Sequence, residues 1–273
     1  MKMKGKRNCL AMAAVLAFFG GMSVRADQAG LAEQMIYDKD GLKVTVTGLE
    51  ESYMGEEVKL QIENDSEQKL GIQARDVSVN GYMVPSMMSV EVAPGKKAND
   101  SLTILTDDFE AMGIDTVAEI ELSLNIFDPD SWLTVATSEP VSLVTEGNEA
   151  YEQVYDDSGE VLYDSDDVKV VYKGFSEDSL MGPEFQVYAE NKSDRDIVLQ
   201  VGDASVNDFM MNAIFSVELP AGKRAFDGIA FLSSEIEENG IEQIQKAEVS
   251  FRVSDRDTWQ MLDETDVIEL PVE

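Results

Sequence analysis

Apolar and polar residues alternate with a period of two along much of the chain. In "GLKVTVTG", Leu42, Val44 and Val46 alternate with Lys43, Thr45 and Thr47. In "EVKLQIEN", Val58, Leu60 and Ile62 alternate with Lys59, Gln61 and Glu63. "AEIELSLNIF" sets Ile120, Leu122, Leu124 and Ile126 against Glu121, Ser123 and Asn125, and Ala247, Val249, Phe251 and Val253 repeat the pattern near the end. Such alternation predicts strands with one buried and one wet face. Turn signals at Asn64, Asn80, Pro94 and Asp128 cut each half into about seven or eight short strands, the pattern of an antiparallel sandwich. Asn80-Gly81 suits a type I′ hairpin, which needs positive φ at both central residues, and Asn207-Asp208 suits it less well. Two stretches break the alternation. "DDFEAMG" (Asp107, Glu110, Gly113) and "SEIEENG" (Ser234, Glu237, Gly240) predict one helical turn each, opened by a capping box and closed by glycine.

The same phrases recur at an offset of 126 to 127 positions. "MIYDKDGLKV" from Met35 parallels "VLYDSDDVKV" from Val161, and "IENDSEQ" from Ile62 parallels "AENKSDR" from Ala189. "RDVSVNGYMV" from Arg75 parallels "GDASVNDFMM" from Gly202, "APGKKAND" parallels "PAGKRAFD", and "DPDSW" parallels "DRDTW". Order is kept throughout, so the chain reads as two homologous domains at 35–145 and 161–273, each large enough for its own core. A short segment, 27–34, precedes the first. Between the domains, residues 146–160 carry six acids and no base, which reads as a solvated, self-repelling linker. A small hairpin over Val154–Tyr163, at the edge of the second domain, is the other reading of that stretch.

Residues 1–26 have the layout of a secretory signal peptide: Lys2, Lys4, Lys6 and Arg7, then the apolar run Cys9–Val24, then "VRA". The run falls short of the roughly 20 apolar residues that span a bilayer. Its removal would take away five bases and no acid, moving the net charge from −33 to −38. The signal layout leads to the expectation of a secreted chain, and no later segment is apolar enough to enter a membrane once it is cleaved; the acidity is expected to repel nucleic acid and to favour cationic partners.

Missing residue types narrow the chemistry. The chain has no histidine, and its single cysteine, Cys9, lies in the signal segment. Disulfides, thiolate chemistry and Ser-His-Asp or Cys-His catalysis are thereby excluded from the processed chain. Paired carboxylates acting as acid and base remain, but 54 acidic residues make chance pairs inevitable, and no enzyme is expected. Asp128 and Asp130, with their twins Asp255 and Asp257, offer oxygens to Ca²⁺. They lack the third acidic ligand, glycine and distal glutamate of an EF-hand loop, and the preferred reading is turn-forming aspartates with Trp132 and Trp259 plugging the core ends. Tyr82, Met83, Met87 and Met88, with Phe209, Met210, Ile214 and Phe215 in the second copy, form apolar runs after each hairpin turn. They suit either a buried strand crossing between sheets, which is preferred, or a partner-binding patch.

The motif order ("YD" entry strand, "NxS" turn, "DVSVNGYMV", "PGKKAND", "GI", "DxDSW") resembles uncharacterised secreted proteins of gut Gram-positive bacteria, classed as domains of unknown function. The resemblance spans both repeats and implies immunoglobulin-like sandwiches. It carries no activity, and the antibody-type cysteine pair and core tryptophan are absent. The expected fold is all-β, two tandem homologous antiparallel immunoglobulin-like sandwiches, each with one helical turn. The expected role is a non-enzymatic binding module for a protein or surface ligand, without cofactor; the alternative is a calcium-stabilised spacer of the cell envelope.

Overall fold

The computed structural model describes residues 30–177 and 179–272. The expected signal peptide lies outside the described residues. The fold is all-β, and every strand pairing but one is antiparallel.

In the first half, Gln34–Lys39, Leu42–Ser52, Gly55–Asn64, Lys96–Leu105 and Ser86–Met87 form one sheet in that spatial order. Thr134–Thr137, Glu119–Phe127, Leu70–Val79 and Tyr82–Met83 begin a second sheet, joined by Ser89–Val92 and Val141–Val144. A parallel bridge from Tyr82 to Arg224 then carries that sheet into the second half. There it continues through Arg224–Phe231, Glu184–Asn191, Val168–Ser176 and Glu160–Asp164. The third sheet holds Phe209–Met210, Ile197–Val206, Ala247–Asp255 and Met261–Glu264, with Ser216–Leu219 and Ile268–Leu270. The strands of the two halves thus pair in the same order.

Alternation sets the cores. Val44, Val46, Val58 and Ile62 are fully buried and meet Ile72, Val79, Ile120 and Leu124 from the facing sheet. In the second half Val168, Val170, Phe185 and Val187 meet Leu199, Val206, Val249 and Phe251. Val171 and Tyr188, from the second half, belong to the first core, and Met83 packs against the second.

The segment after each hairpin does cross between sheets. Tyr82–Met83 pairs with Leu70–Val79, Ser86–Met87 with Lys96–Leu105, and Ser89–Val92 with Leu70–Val79 again. These two- to four-residue pieces raise the strand count of each half above the expected seven or eight. Asn80 and Gly81 both have positive φ, as a type I′ turn requires, and Asn207 and Asp208 match them at 49° and 68°. Aspartate tolerates the left-handed region better than most residues, so the less favourable pair still makes the turn.

Two local expectations fail. Helix Phe109–Met112 starts after Asp108 and helix Ser233–Glu238 after Leu232, and neither N-cap side chain bonds the helix. Each helix starts one or two residues away from the register of its predicted box, and Ser234 lies inside the second one. The glycine stop holds for both, with Gly113 and Gly240 left-handed at φ 65° and 67°. No hairpin forms over 154–163 either: the strand begins at Glu160 and pairs with Val168–Ser176.

Candidate functional site

The twin hairpins have opposite surroundings. Tyr82 is 2% exposed and Met83 packs against the second core, whereas Phe209 is 46% and Met210 70% exposed. Of the remaining residues of the two apolar runs, Met87 and Ile214 are exposed, Met88 is half-buried, and Phe215 is buried. Tyr82 and Phe215 are therefore core residues, and Met83 serves the contact between halves. Phe209 and Met210 are the exposed apolar pair of the second hairpin, and Ile214, also exposed, lies on the next short strand, which pairs with Arg224–Phe231 in the other sheet.

What covers the first hairpin is a built joint. Arg224 N–H donates to the Gly81 carbonyl at 3.0 Å. The Arg224 guanidinium lies 3.8 Å from the Tyr155 ring centre and pairs with Glu190 at 2.7 Å. Tyr82 meets Tyr155 and Tyr188 edge-on, at 5.4 and 6.3 Å between centroids. Burial raises the Tyr82 hydroxyl to about 12 and the Tyr188 hydroxyl further. Lys223 pairs with Glu121, and Arg256 reaches Asp76 at 2.9 Å while also holding Glu218 and Asp196. Neighbouring Val171, Tyr188 and Phe226 complete the contact.

The acidic linker belongs to this joint rather than lying free. Tyr155 donates to the Asn80 carbonyl at 3.0 Å, and Gln153 accepts from Asn80 Nδ2 at 3.0 Å and donates to Gly113. Asp156 and Asp157 bond Lys173 and Lys169 of strand Val168–Ser176, which offsets the repulsion that composition alone suggests. The amide of Asn80 also donates to the Thr116 carbonyl and accepts from Ala118 and Glu119 N–H. Asn207 repeats that cradle with Gln243, Gln245 and Lys246, but among the described residues no linker segment bonds to it. A groove of about 780 Å³ runs beside it, lined by Asp208, Phe209, Ile241, Glu242, Lys246 and Glu269.

This joint was missed by reading each copy for its own period. Its signal lies in outward-facing positions that differ between copies: Thr45 against Val171, Gln61 against Tyr188, Asn99 against Phe226, and Pro129 against Arg256. At three of these positions the second half carries an apolar or aromatic side chain where the first carries a polar one, as a sheet patch covered on both sides requires.

Carboxylates also gather at the joint. Desolvation by surrounding protein raises Asp227, with the charges of Glu184 and Asp108 adding to the shift, and likewise raises Asp108, with Asp107 and Glu184 adding, although both residues keep exposed surface. A carboxyl raised in the folded state binds its proton more tightly there than in the unfolded chain. Its contribution is full below the ordinary aspartate range and is lost as pH rises through the raised value. Asp227→Asn is therefore expected to raise the melting temperature at pH 7 and to leave it nearly unchanged near pH 4. A thermal-unfolding series over that range, with an equal shift at both ends, would refute this.

The paired aspartates serve their turns. Asp128 Oδ1 accepts from Asp130 and Ser131 N–H at 2.8 and 3.3 Å, and Asp255 Oδ1 accepts from Thr258 N–H and hydroxyl at 2.9 and 2.6 Å. These bonds hold both carboxyls below the usual range. Asp130 and Asp257 point outward and are exposed. Among the described residues, no three acidic side chains are grouped to hold a metal ion. The tryptophans do not plug the core: Trp132 is 69% and Trp259 62% exposed. Both occupy the left-handed position of a hairpin turn, at φ 60° and 59°, and the turn aims the ring outward.

No protein-family model matches the chain, and no curated protein does. Solved structures with partial likeness include the YadV chaperone, at 11% identity and a TM-score of 0.26, covering 78% of this chain and 92% of that one. A β-glucuronidase of Bacteroides uniformis shows 13% identity and a TM-score of 0.25 over 80% of this chain and 26% of its own. Red sea bream transglutaminase shows 8% identity and a TM-score of 0.19, covering 83% of this chain and 29% of that one. The chain thus spans about a quarter of each enzyme's length.

Proposed function

We propose that the chain is a secreted, non-enzymatic binding module built from two tandem immunoglobulin-like sandwiches, and that the Phe209–Met210 flank of the second is its docking face. The supporting observation is the unequal setting of two matched hairpins, one sealed within the joint and one bare. The joint also supplies a template for the occupant. The first hairpin is met by a sheet face carrying Val171, Tyr188 and Phe226 beside the basic turn Lys223-Arg224. The partner is accordingly a β-sheet protein presenting apolar side chains next to a cationic turn, and the net charge of −33 favours its approach. A second copy does not fit, because the matching face of the first half carries Thr45, Gln61 and Asn99.

The test is the double substitution Phe209→Asp, Met210→Asp. Both side chains are exposed, so stability should change by no more than about 0.5 kcal/mol. Affinity for a purified partner, first captured from mucosal or bacterial-envelope extracts and then titrated directly, should fall at least about tenfold, with two contact side chains lost. Binding of the native chain should also weaken with salt. Equal, salt-insensitive affinity of native and variant chains would overturn the reading.

A further inference from the structure

We propose that Trp132 and Trp259 are paired stacking platforms for the pyranose rings of neutral or amino-bearing saccharides. The residue choice runs against local preference. A hairpin turn that ends in a left-handed position takes glycine or asparagine most readily, and a bulky side chain there is an outlier. This chain places tryptophan in that position twice, at φ 60° and 59°. The turn itself is regular in both copies: Trp132 N–H donates to the Asp128 carbonyl at 2.7 Å and Trp259 N–H to the Asp255 carbonyl at 2.9 Å. Burial does not explain the choice, since both rings are more than 60% exposed. Strain held at an exposed position in a regular turn points to a role for the side chain.

The surroundings define the ligand. Trp132 stacks on buried Phe127 at 5.2 Å with 13° between planes, which fixes the indole and leaves its outer face to solvent. A pyranose offers such a face a flat patch of C–H groups, while its hydroxyls project around the edge. The same turns carry the exposed residues Asp130 and Ser131, and Asp257, Thr258 and Gln260 in the twin. The carboxylates of Asp130 and Asp257 accept no hydrogen bond among the described residues, so they are available to sugar hydroxyls. A chain with a charge of −33 repels acidic glycans, leaving neutral or amino sugars. Each platform is open and single-ringed, so each binds weakly, and two in one chain gain by avidity on a polymer. These platforms are separate from the Phe209–Met210 face.

The two tryptophans are the only ones in the chain, so indole fluorescence reports both sites. The full chain is titrated with gluco-, manno-, xylo- and chito-oligosaccharides, and its retention on the corresponding insoluble polymers is measured. At least one series should change the emission and protect it from acrylamide. Trp132→Gly or Trp259→Gly should each remove about half of that change and lower polymer retention more than twofold, and the double variant should abolish both. Because glycine suits the left-handed position, the melting temperature of Trp259→Gly should stay level or rise, whereas Trp132→Gly also uncovers Phe127 and the two effects oppose each other. The proposal is overturned if no series alters emission or retention, if Trp259→Gly melts well below the native chain, or if the tryptophans prove necessary only for capture of a protein.

Discussion

Replacing Tyr82 by alanine is expected to uncouple the two halves of the chain. The ring is 2% exposed and is gripped edge-on by Tyr155 from the linker and Tyr188 from the second half. Truncating a buried aromatic to alanine costs about 3–5 kcal/mol, because the transfer term is lost and a cavity remains. Here the cavity opens where the halves meet. Tyr155 loses a ring neighbour while it supports Arg224, whose Nε is buried without a hydrogen-bond partner. Calorimetry should replace one cooperative transition with two, and solution scattering should show a larger radius of gyration. Tyr82→Phe is the control. The Tyr82 hydroxyl makes no hydrogen bond among the described residues, so the phenyl ring should keep the joint closed and change stability by less than about 1 kcal/mol. A single transition with unchanged dimensions in the alanine variant would show that Arg256–Asp76 and Lys223–Glu121 suffice to hold the halves together.

That joint marks the limit of what the sequence discloses. Strands with one wet face were legible, because Val44, Val46, Val58 and Ile62 repeat every second residue and each ends in the core. The hairpin turns were legible from Asn80-Gly81 and Asn207-Asp208. The joint was not, because its residues break no rule within their own copy. Val171 beside Val170, or Tyr188 beside Val187, reads as a strand buried on both faces, and only comparison with Thr45 and Gln61 shows that the second cover is the other half. The linker misled for a different reason. Counting acids ignores the lysines that strand Val168–Ser176 brings to Asp156 and Asp157. The tryptophans misled because ring size argues for burial, whereas the backbone of a left-handed turn position decides where the ring points. In the hairpin flanks, near-identity of sequence concealed unequal surroundings: Tyr82 and Phe209 occupy the same place in their turns, and only the fold shows that one is sealed.

A second large effect is expected from Asn191→Ala, through hydrogen bonding rather than packing. Asn191 is fully buried. Its Nδ2 donates to the Arg195 and Leu219 carbonyls at 2.8 Å each, and its Oδ1 accepts from the Ser193 N–H and hydroxyl at 3.0 and 2.7 Å. One amide thus closes the turn after its own strand and ties that turn to the end of Ser216–Leu219, in the facing sheet. Alanine leaves these partners without their bonds. The Leu219 bond is wholly buried, and an unsatisfied buried group costs about 1–3 kcal/mol, so with the turn bonds the loss should be about 3 kcal/mol. Asn64 builds the same device, with Gln68 and Val92 carbonyls at 2.8 Å and Ser66 as donor. Asn64→Ala should therefore lose a similar amount, read as the shift in urea midpoint at constant slope. Asn191→Asp separates hydrogen bonding from shape. Aspartate keeps the volume, but its charged form turns an oxygen toward two carbonyls and adds a buried charge. It should be at least as damaging as alanine at pH 7 and should recover part of the loss as pH falls and the carboxyl takes up a proton. If alanine costs less than about 1 kcal/mol, water has taken the place of the amide and these asparagines are not the ties between the facing sheets.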